Sequence, residues 1–108
     1  MTGIAHVVHL RFKPDISNDK ITQAMDDVKS LKAKCVLPDS RHPYIKSITA
    51  GKDNSVEGLQ NGFTHMIIIF FENVEHRDYY AKSDPAHLAL VAGLSPVLNG
   101  LQVLDIEA

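Results

Sequence analysis

The run Asp84-Pro85-Ala86-His87, followed by Leu88-Ala89-Leu90-Val91, sets a histidine into the first turn of a helix. Asp84 can accept backbone N–H bonds as the N-cap, and Pro85 suits the first helical position, where a missing N–H costs nothing. His87 then stands third, beside the unpaired N–H groups and the positive end of the helix dipole. That field favours a neutral ring able to accept a proton, whereas the Asp84 carboxylate pulls toward the imidazolium, so the two influences oppose each other. Tyr79 and Tyr80 lie just upstream. A neutral histidine beside a tyrosine hydroxyl is equipped for enolisation next to a carbonyl: the ring takes the carbon proton and the phenol donates to the developing enolate oxygen. The plainer alternative is a surface histidine at a helix cap.

The elements that must position these groups can be read from periodicity. Ile4 to Phe12 alternates, with Ile4, His6, Val8, Leu10 and Phe12 on one side and Ala5, Val7, His9 and Arg11 on the other, which is a strand. Pro14-Asp15 closes it. Ser17 or Asn18 can cap a helix from about Asp19 to Lys34, whose Ile21, Ala24, Met25, Val28, Leu31 and Cys35 recur every three or four residues. A loop with Pro38 and Pro43 leads to a second strand, Tyr44 to Ala50. A turn-rich connection, Gly51 to Gly62, precedes a strongly apolar third strand, Phe63 to Phe71. Asn73 to Ala81 and Pro85 to Ser95 read as short helical pieces, Pro96 weakens any continuation, and Leu101 to Ile106 is the last strand. The order β-α-β-β-α-β is an α+β pattern. Its usual solution is a four-stranded antiparallel sheet in spatial order 4-1-3-2, with the helices on one face.

In that topology the start of the first strand, the end of the fourth and the helices after the third share one end of the sheet. His6, His87, Asp105 and one of Tyr79 or Tyr80 are therefore expected to converge. An inward Asp105 can hold the ring tautomer of the acting histidine. Val8, Leu10, Met25 and Val28 would form an apolar lid around the pair. His65 opens the third strand at the opposite end and ranks lower. Each of these has a plain structural alternative: a satisfied core histidine, or a solvated strand end for Asp105.

The third strand has a further consequence. Phe63, His65, Ile67, Ile69 and Phe71 form one face, and Met66, Ile68 and Phe70 form the other. Both faces are apolar, yet the helices cover only one. A second copy of the chain is the simplest cover, so a homodimer is expected. Burying the three side chains of the second face would contribute on the order of 5 kcal/mol per subunit before the cost of association.

The 108 residues suffice for one domain, residues 1–108, with one two-layered core. Net charge is −2 with both signs mixed, and no basic stripe argues for nucleic acid. No apolar run reaches membrane-spanning length. The opening Met1 to Phe12, with two histidines and an arginine, makes a poor secretory signal. A single cysteine, Cys35, excludes an intrachain disulfide and fits a cytoplasmic setting. Cys35 lies on the buried side of a helix end, as a packing residue. Although there are six histidines, no His-x-x-x-His or Cys/His cluster occurs, and His6 and His9 face opposite ways, so no metal site is expected. Gly51-Lys52-Asp53-Asn54-Ser55 lacks the strand-to-helix context of a phosphate loop.

Four segments taken in order resemble the stress-responsive A/B barrel domain (Dabb) family. They are His6-Val7-Val8-His9-Leu10-Arg11-Phe12-Lys13; Gly51-Lys52-Asp53; Glu57-Gly58 leading to Gly62-Phe63-Thr64-His65; and Asp78-Tyr79 leading to Asp84-Pro85-Ala86-His87. The resemblance implies a ferredoxin-like subunit and a homodimer whose two sheets face each other as a barrel. Plant members include a polyketide cyclase that forms olivetolic acid by an intramolecular aldol condensation, using a histidine and a tyrosine without a cofactor. Its catalytic histidine closes a Pro-Ala-His motif and matches His87. Its tyrosine follows an aspartate and matches Tyr79. This chain has two more residues between the tyrosine and the histidine, which makes Tyr80 a rival. Further histidines at that pocket match His6 and His65. A pocket tyrosine of the first helix matches Val28, so a different substrate is implied.

Three functions follow as expectations. The first is a cofactor-free lyase or cyclase acting on a small, partly apolar carbonyl compound, with no cofactor and no metal. The second is a non-catalytic stress-response protein that binds a hydrophobic ligand or partner. The third is a cofactor-free monooxygenase built on the same dimeric barrel shape.

Overall fold

The computed structural model describes residues 3–108; Met1 and Thr2, part of the stretch read above as a poor secretory signal, lie outside the described residues. The elements are β1 (Ile4–Phe12), α1 (Asn18–Lys34), β2 (Ile45–Lys52), β3 (His65–Phe71), α2 (Val74–Lys82), α3 (Pro85–Leu94) and β4 (Leu98–Glu107), with a short 3₁₀ turn at Ser95–Val97 between the last two. The four strands form one antiparallel sheet in the order β2-β3-β1-β4, the expected ferredoxin-like arrangement with the helical segment after β3 split in two.

Local chemistry explains where each helix starts. The Ser17 hydroxyl accepts from Lys20 N at 3.2 Å, Asn73 Oδ1 from His76 N at 2.8 Å, and Asp84 Oδ1 from Ala86 N at 2.9 Å. The break between α2 and α3 is closed by Ser83 N and Asp84 N, which both donate to the Tyr79 carbonyl at 2.9 Å. Pro96 does not end the ordered structure in a loop. It sits in the tightened 3₁₀ turn, so β4 begins at Leu98 instead of Leu101. β3 begins at His65 rather than Phe63, although Thr64 still bonds to Leu10 and Asp53 across the sheet.

Ile4, Val8, Leu10 and Phe12 of β1 and Ile67, Ile69 and Phe71 of β3 pack under Met25, Val28 and Leu31 of α1. Each such side chain contributes about 1.5–3 kcal/mol on burial. Tyr44, expected in the second strand, precedes β2 and is itself buried in this core. Among the described residues, no layer covers the opposite face of the sheet. Met66 and Phe70 are each 37% exposed, and Leu104 and Ile106, beside Val7 and Ala5 on β4, are 61% and 66% exposed. The register therefore widens the apolar face read from β3 to include β4.

Candidate active site

α3 and β4 give the site its walls. α3 carries no charged residue, and none of its ten residues is fully buried. It lies over the sheet as an apolar roof, leaving a cavity of about 430 Å³ between itself and strands β1, β3 and β4. Val8, Leu10 and Val28 form part of the wall, joined by Ile67, Ile69, Leu90, Val91, Leu94 and Val103. Among the described residues, the polar groups on the lining are His6, Tyr80, His87 and Ser95, with no lysine, arginine or carboxylate. A cavity of this size and character suits a neutral, mostly apolar small molecule held by a few directional groups.

His6 stands opposite Asp105 in the β1–β4 ladder, and its Nδ1 lies 2.8 Å from Asp105 Oδ1. The second carboxylate oxygen of Asp105 accepts from Arg77 Nη1 at 2.8 Å. His87 is oriented differently: its Nδ1 lies 2.8 Å from the Tyr80 carbonyl oxygen. A carbonyl only accepts, so Nδ1 of His87 carries the proton and Nε2 of the neutral ring is the acceptor. The Tyr80 ring stacks on His87 with centroids 3.9 Å apart and meets His6 edge-on at 5.7 Å. The Tyr80 ring thus meets both imidazoles, and all three side chains line the apolar cavity.

The opposition between dipole and carboxylate at His87 is decided by a third effect. Burial, the largest cause, lowers its pKa below the usual 6.5, and the charge of a protonated His6 acts the same way. The Tyr80 carbonyl and Asp84 only partly offset this. His87 is therefore a neutral proton acceptor at pH 7. Burial, reinforced by Cys35 and Asp84, pushes the Tyr80 hydroxyl well above its ordinary value, so it stays a protonated donor. The Cys35 thiol, fully enclosed, is pushed up to about 12 chiefly by burial and is no nucleophile.

Three expected site residues lie elsewhere. Tyr79 is one residue, about 100° of helix rotation, from Tyr80, and packs on Tyr44 at 5.7 Å instead of lining the cavity. Met25, one turn before Val28, is buried in the core without reaching the lining. His65 pairs with Leu10, four residues from His6 along β1. There it accepts or donates at Thr64 Oγ1 (2.8 Å), meets the Phe12 ring edge-on at 5.1 Å, and borders a separate cleft with His9 and Asp53. Asp105 is part of the constellation but holds the ring of His6, not that of His87.

Sequence reasoning missed Arg77, Tyr44 and the roof. Tyr44 donates to the buried Asp84 Oδ2 at 2.6 Å, across 40 residues of chain, and local pattern carries no trace of such a pair. The roof was more accessible: a helix apolar on every side that follows an N-cap has no wet face to choose, and within one chain its Leu88 and Val91 stay 44% and 41% exposed. Among the described residues no group of three or more His, Cys, Asp or Glu side chains is placed to hold a metal ion, and no helix is long and apolar enough to cross a membrane.

Comparison with known proteins agrees with this architecture. A stress-response A/B barrel domain-containing protein of Arabidopsis thaliana, At5g22580, is 29% identical over 107 residues, covering 96% of this chain and 85% of its own. The crystal structure of At3g17210 from Arabidopsis thaliana superposes with a TM-score of 0.85 at 27% identity, over 97% of this chain and 94% of that one. The hydroxynitrile lyase of Passiflora edulis superposes with a TM-score of 0.84 at 25% identity, over 98% and 93%. A Thermobifida fusca protein described as dimeric and ferredoxin-like shares the fold at 18% identity, with a TM-score of 0.77 over 99% and 92%. The model of the stress responsive A/B barrel domain matches residues 4–108, and the chain belongs to that family.

Proposed function

We propose that this protein is a homodimeric, cofactor-independent lyase or cyclase that makes or breaks a carbon–carbon bond next to the carbonyl of a neutral, largely apolar compound, of polyketide-like character. The observation that carries the reading is the stacking of neutral His87, whose Nδ1 proton is held by the Tyr80 carbonyl, on the protonated Tyr80 in the lining of the apolar cavity. His87 takes a proton from the carbon beside the carbonyl, Tyr80 donates to the oxygen that gains charge, and the resulting enolate attacks a second carbonyl of the same molecule. The proton on His87 then returns to the new alkoxide. The reverse sequence, starting from a hydroxyl proton, cleaves the bond. The likeness to a hydroxynitrile lyase supports lyase chemistry on this scaffold. Tyr80, rather than Tyr79, is the tyrosine in this reading because it lines the cavity.

The dimer is argued from the open sheet face, where Met66, Phe70, Leu104 and Ile106 make a contiguous apolar surface, and the Thermobifida fusca neighbour of the same fold is described as dimeric. A cytoplasmic location belongs to the same proposal. A second reading, a stress-response protein that binds an apolar ligand without turnover, draws on the same cavity and on the description of the Arabidopsis relative. The test is turnover of a panel of linear β-polyketides and cyanohydrins, followed by mass spectrometry, with the natural chain and His87→Gln. The lyase/cyclase reading predicts a product that His87→Gln fails to form while its dimer persists. Tight binding of panel members with no product from the natural chain favours the second reading, and equal turnover by both chains removes His87 from the chemistry.

A further inference from the structure

Arg77 stands outside the cavity, yet it is joined to it through a single carboxylate. Asp105 has two oxygens: Oδ1 lies 2.8 Å from His6 Nδ1 and Oδ2 lies 2.8 Å from Arg77 Nη1. Arg77 is itself clamped, since its Nε donates to Asp78 Oδ1 at 2.8 Å. The guanidinium is a planar fork with fixed donor directions, so anchoring Nε on Asp78 fixes where Nη1 points. The chain of contacts runs from α2 through β4 to β1 and crosses the end of the sheet where His6 enters the cavity lining.

We propose that Arg77 is a positioning residue that aims Asp105 at His6 Nδ1, so that Nδ1 carries the ring proton and Nε2 faces the cavity. Without Arg77, the Oδ2 oxygen loses its protein partner and the carboxylate can rotate toward water. The His6 ring then has no fixed acceptor for Nδ1–H and distributes its proton over both nitrogens. His87 does not depend on this device, because a backbone carbonyl sets its tautomer. The two histidines of the site are thus held by independent means, one by a charged relay and one by main chain. The catalytic meaning of the device rests on the proposed acid–base reading. The device itself does not, and it can be tested apart from turnover.

The experiment is a long-range ¹H–¹⁵N correlation spectrum of the ¹⁵N-histidine-labelled full chain above pH 7, recorded for the natural protein, Arg77→Gln, Arg77→Lys and Asp78→Asn. The natural chain should show His6 with Nδ1 protonated and Nε2 bare. Arg77→Gln should convert this to a mixed or reversed pattern, Arg77→Lys should restore much of the natural one, and Asp78→Asn should fall between. His87 should be unchanged throughout. A folded Arg77→Gln whose His6 pattern matches the natural chain overturns the proposal. Should Arg77→Gln fail to fold, the natural chain still decides: a doubly anchored guanidinium gives separately resolved Nη signals at low temperature, and a single averaged signal contradicts it. With a turned-over compound in hand, Arg77→Gln should lower kcat about tenfold or more with KM little changed, a share of the roughly 100- to 10,000-fold that positioned acid–base groups supply. A shifted His6 pattern with no turnover by any chain leaves the positioning role intact and refutes only the reaction. Lost turnover with an unmoved His6 pattern refutes the positioning role.

Discussion

At the scale of the residue, the account depends on His87 being neutral and aimed. Burial lowers its pKa below 6.5, so at any pH between the two values the folded chain binds fewer protons than the unfolded chain. The contribution of His87 to stability is therefore present above 6.5 and lost as pH falls through the lowered value. Catalysis by a neutral base follows the same direction: the acid limb of kcat/KM should have its midpoint below 6.5, and a pH–rate profile checks it. A midpoint above 6.5 would mean that the charged form is the one stabilised. Tyr80→Phe removes the donor to the oxygen while keeping the ring stacked on His87. Its kcat should drop by roughly 100- to 1,000-fold, the usual loss for one oxyanion donor, with a small change in KM measured by steady-state kinetics. His87 was legible in the sequence because an N-cap, a proline at the first helical position and a histidine at the third define a helix turn without any tertiary information. The direction of its titration was not legible, because that is set chiefly by burial of the ring and in part by the charge of His6, and neither is a local property.

At the scale of the element, the join between α2 and α3 is the structural pivot. Asp84 is 1% exposed, caps α3 through Ala86 N and accepts the Tyr44 hydroxyl, and this joins the start of β2 to the roof of the cavity. Tyr44→Phe leaves a buried carboxylate oxygen without its donor and should cost about 1–3 kcal/mol in denaturant unfolding. Combining it with Asp84→Ala should cost less than the sum of the two single changes, because both break the same bond. Additive losses would show that Tyr44 and Asp84 act separately. The strands were legible where alternation is strict, as in Ile4 to Phe12, and their ends were less so. β4 starts three residues early because Pro96 is accommodated in a 3₁₀ turn. Tyr79 and Tyr80 could not be separated by pattern alone, since a short amphiphilic helix with Glu75, His76, Arg77 and Asp78 in its first turns offers no clear wet face.

At the scale of the whole molecule, the sheet has a helix-covered face that encloses the cavity and a bare face that exposes large apolar side chains. The order 4-1-3-2 was readable because the succession of elements leaves few right-handed, uncrossed solutions. The two-faced character of β3 was readable because six consecutive apolar residues, Met66 to Phe71, cannot alternate with water. The share of β4 in that bare face became visible only through its register with β1. If the bare face is the dimer interface, Ile68→Asp should yield a particle near 11.9 kDa in light scattering where the natural chain is near twice that mass, with cavity and fold retained in the monomer. The central claim, however, is that this cavity moves a proton at carbon beside a carbonyl. The most direct measurement is deuterium uptake from D₂O at the central carbon of a neutral alkyl β-diketone, followed by NMR with catalytic amounts of protein. The account predicts uptake well above the buffer rate with the natural chain and a return to the buffer rate with His87→Gln. Uptake at the buffer rate with both chains, in the presence of demonstrated binding of the diketone in the cavity, would contradict it.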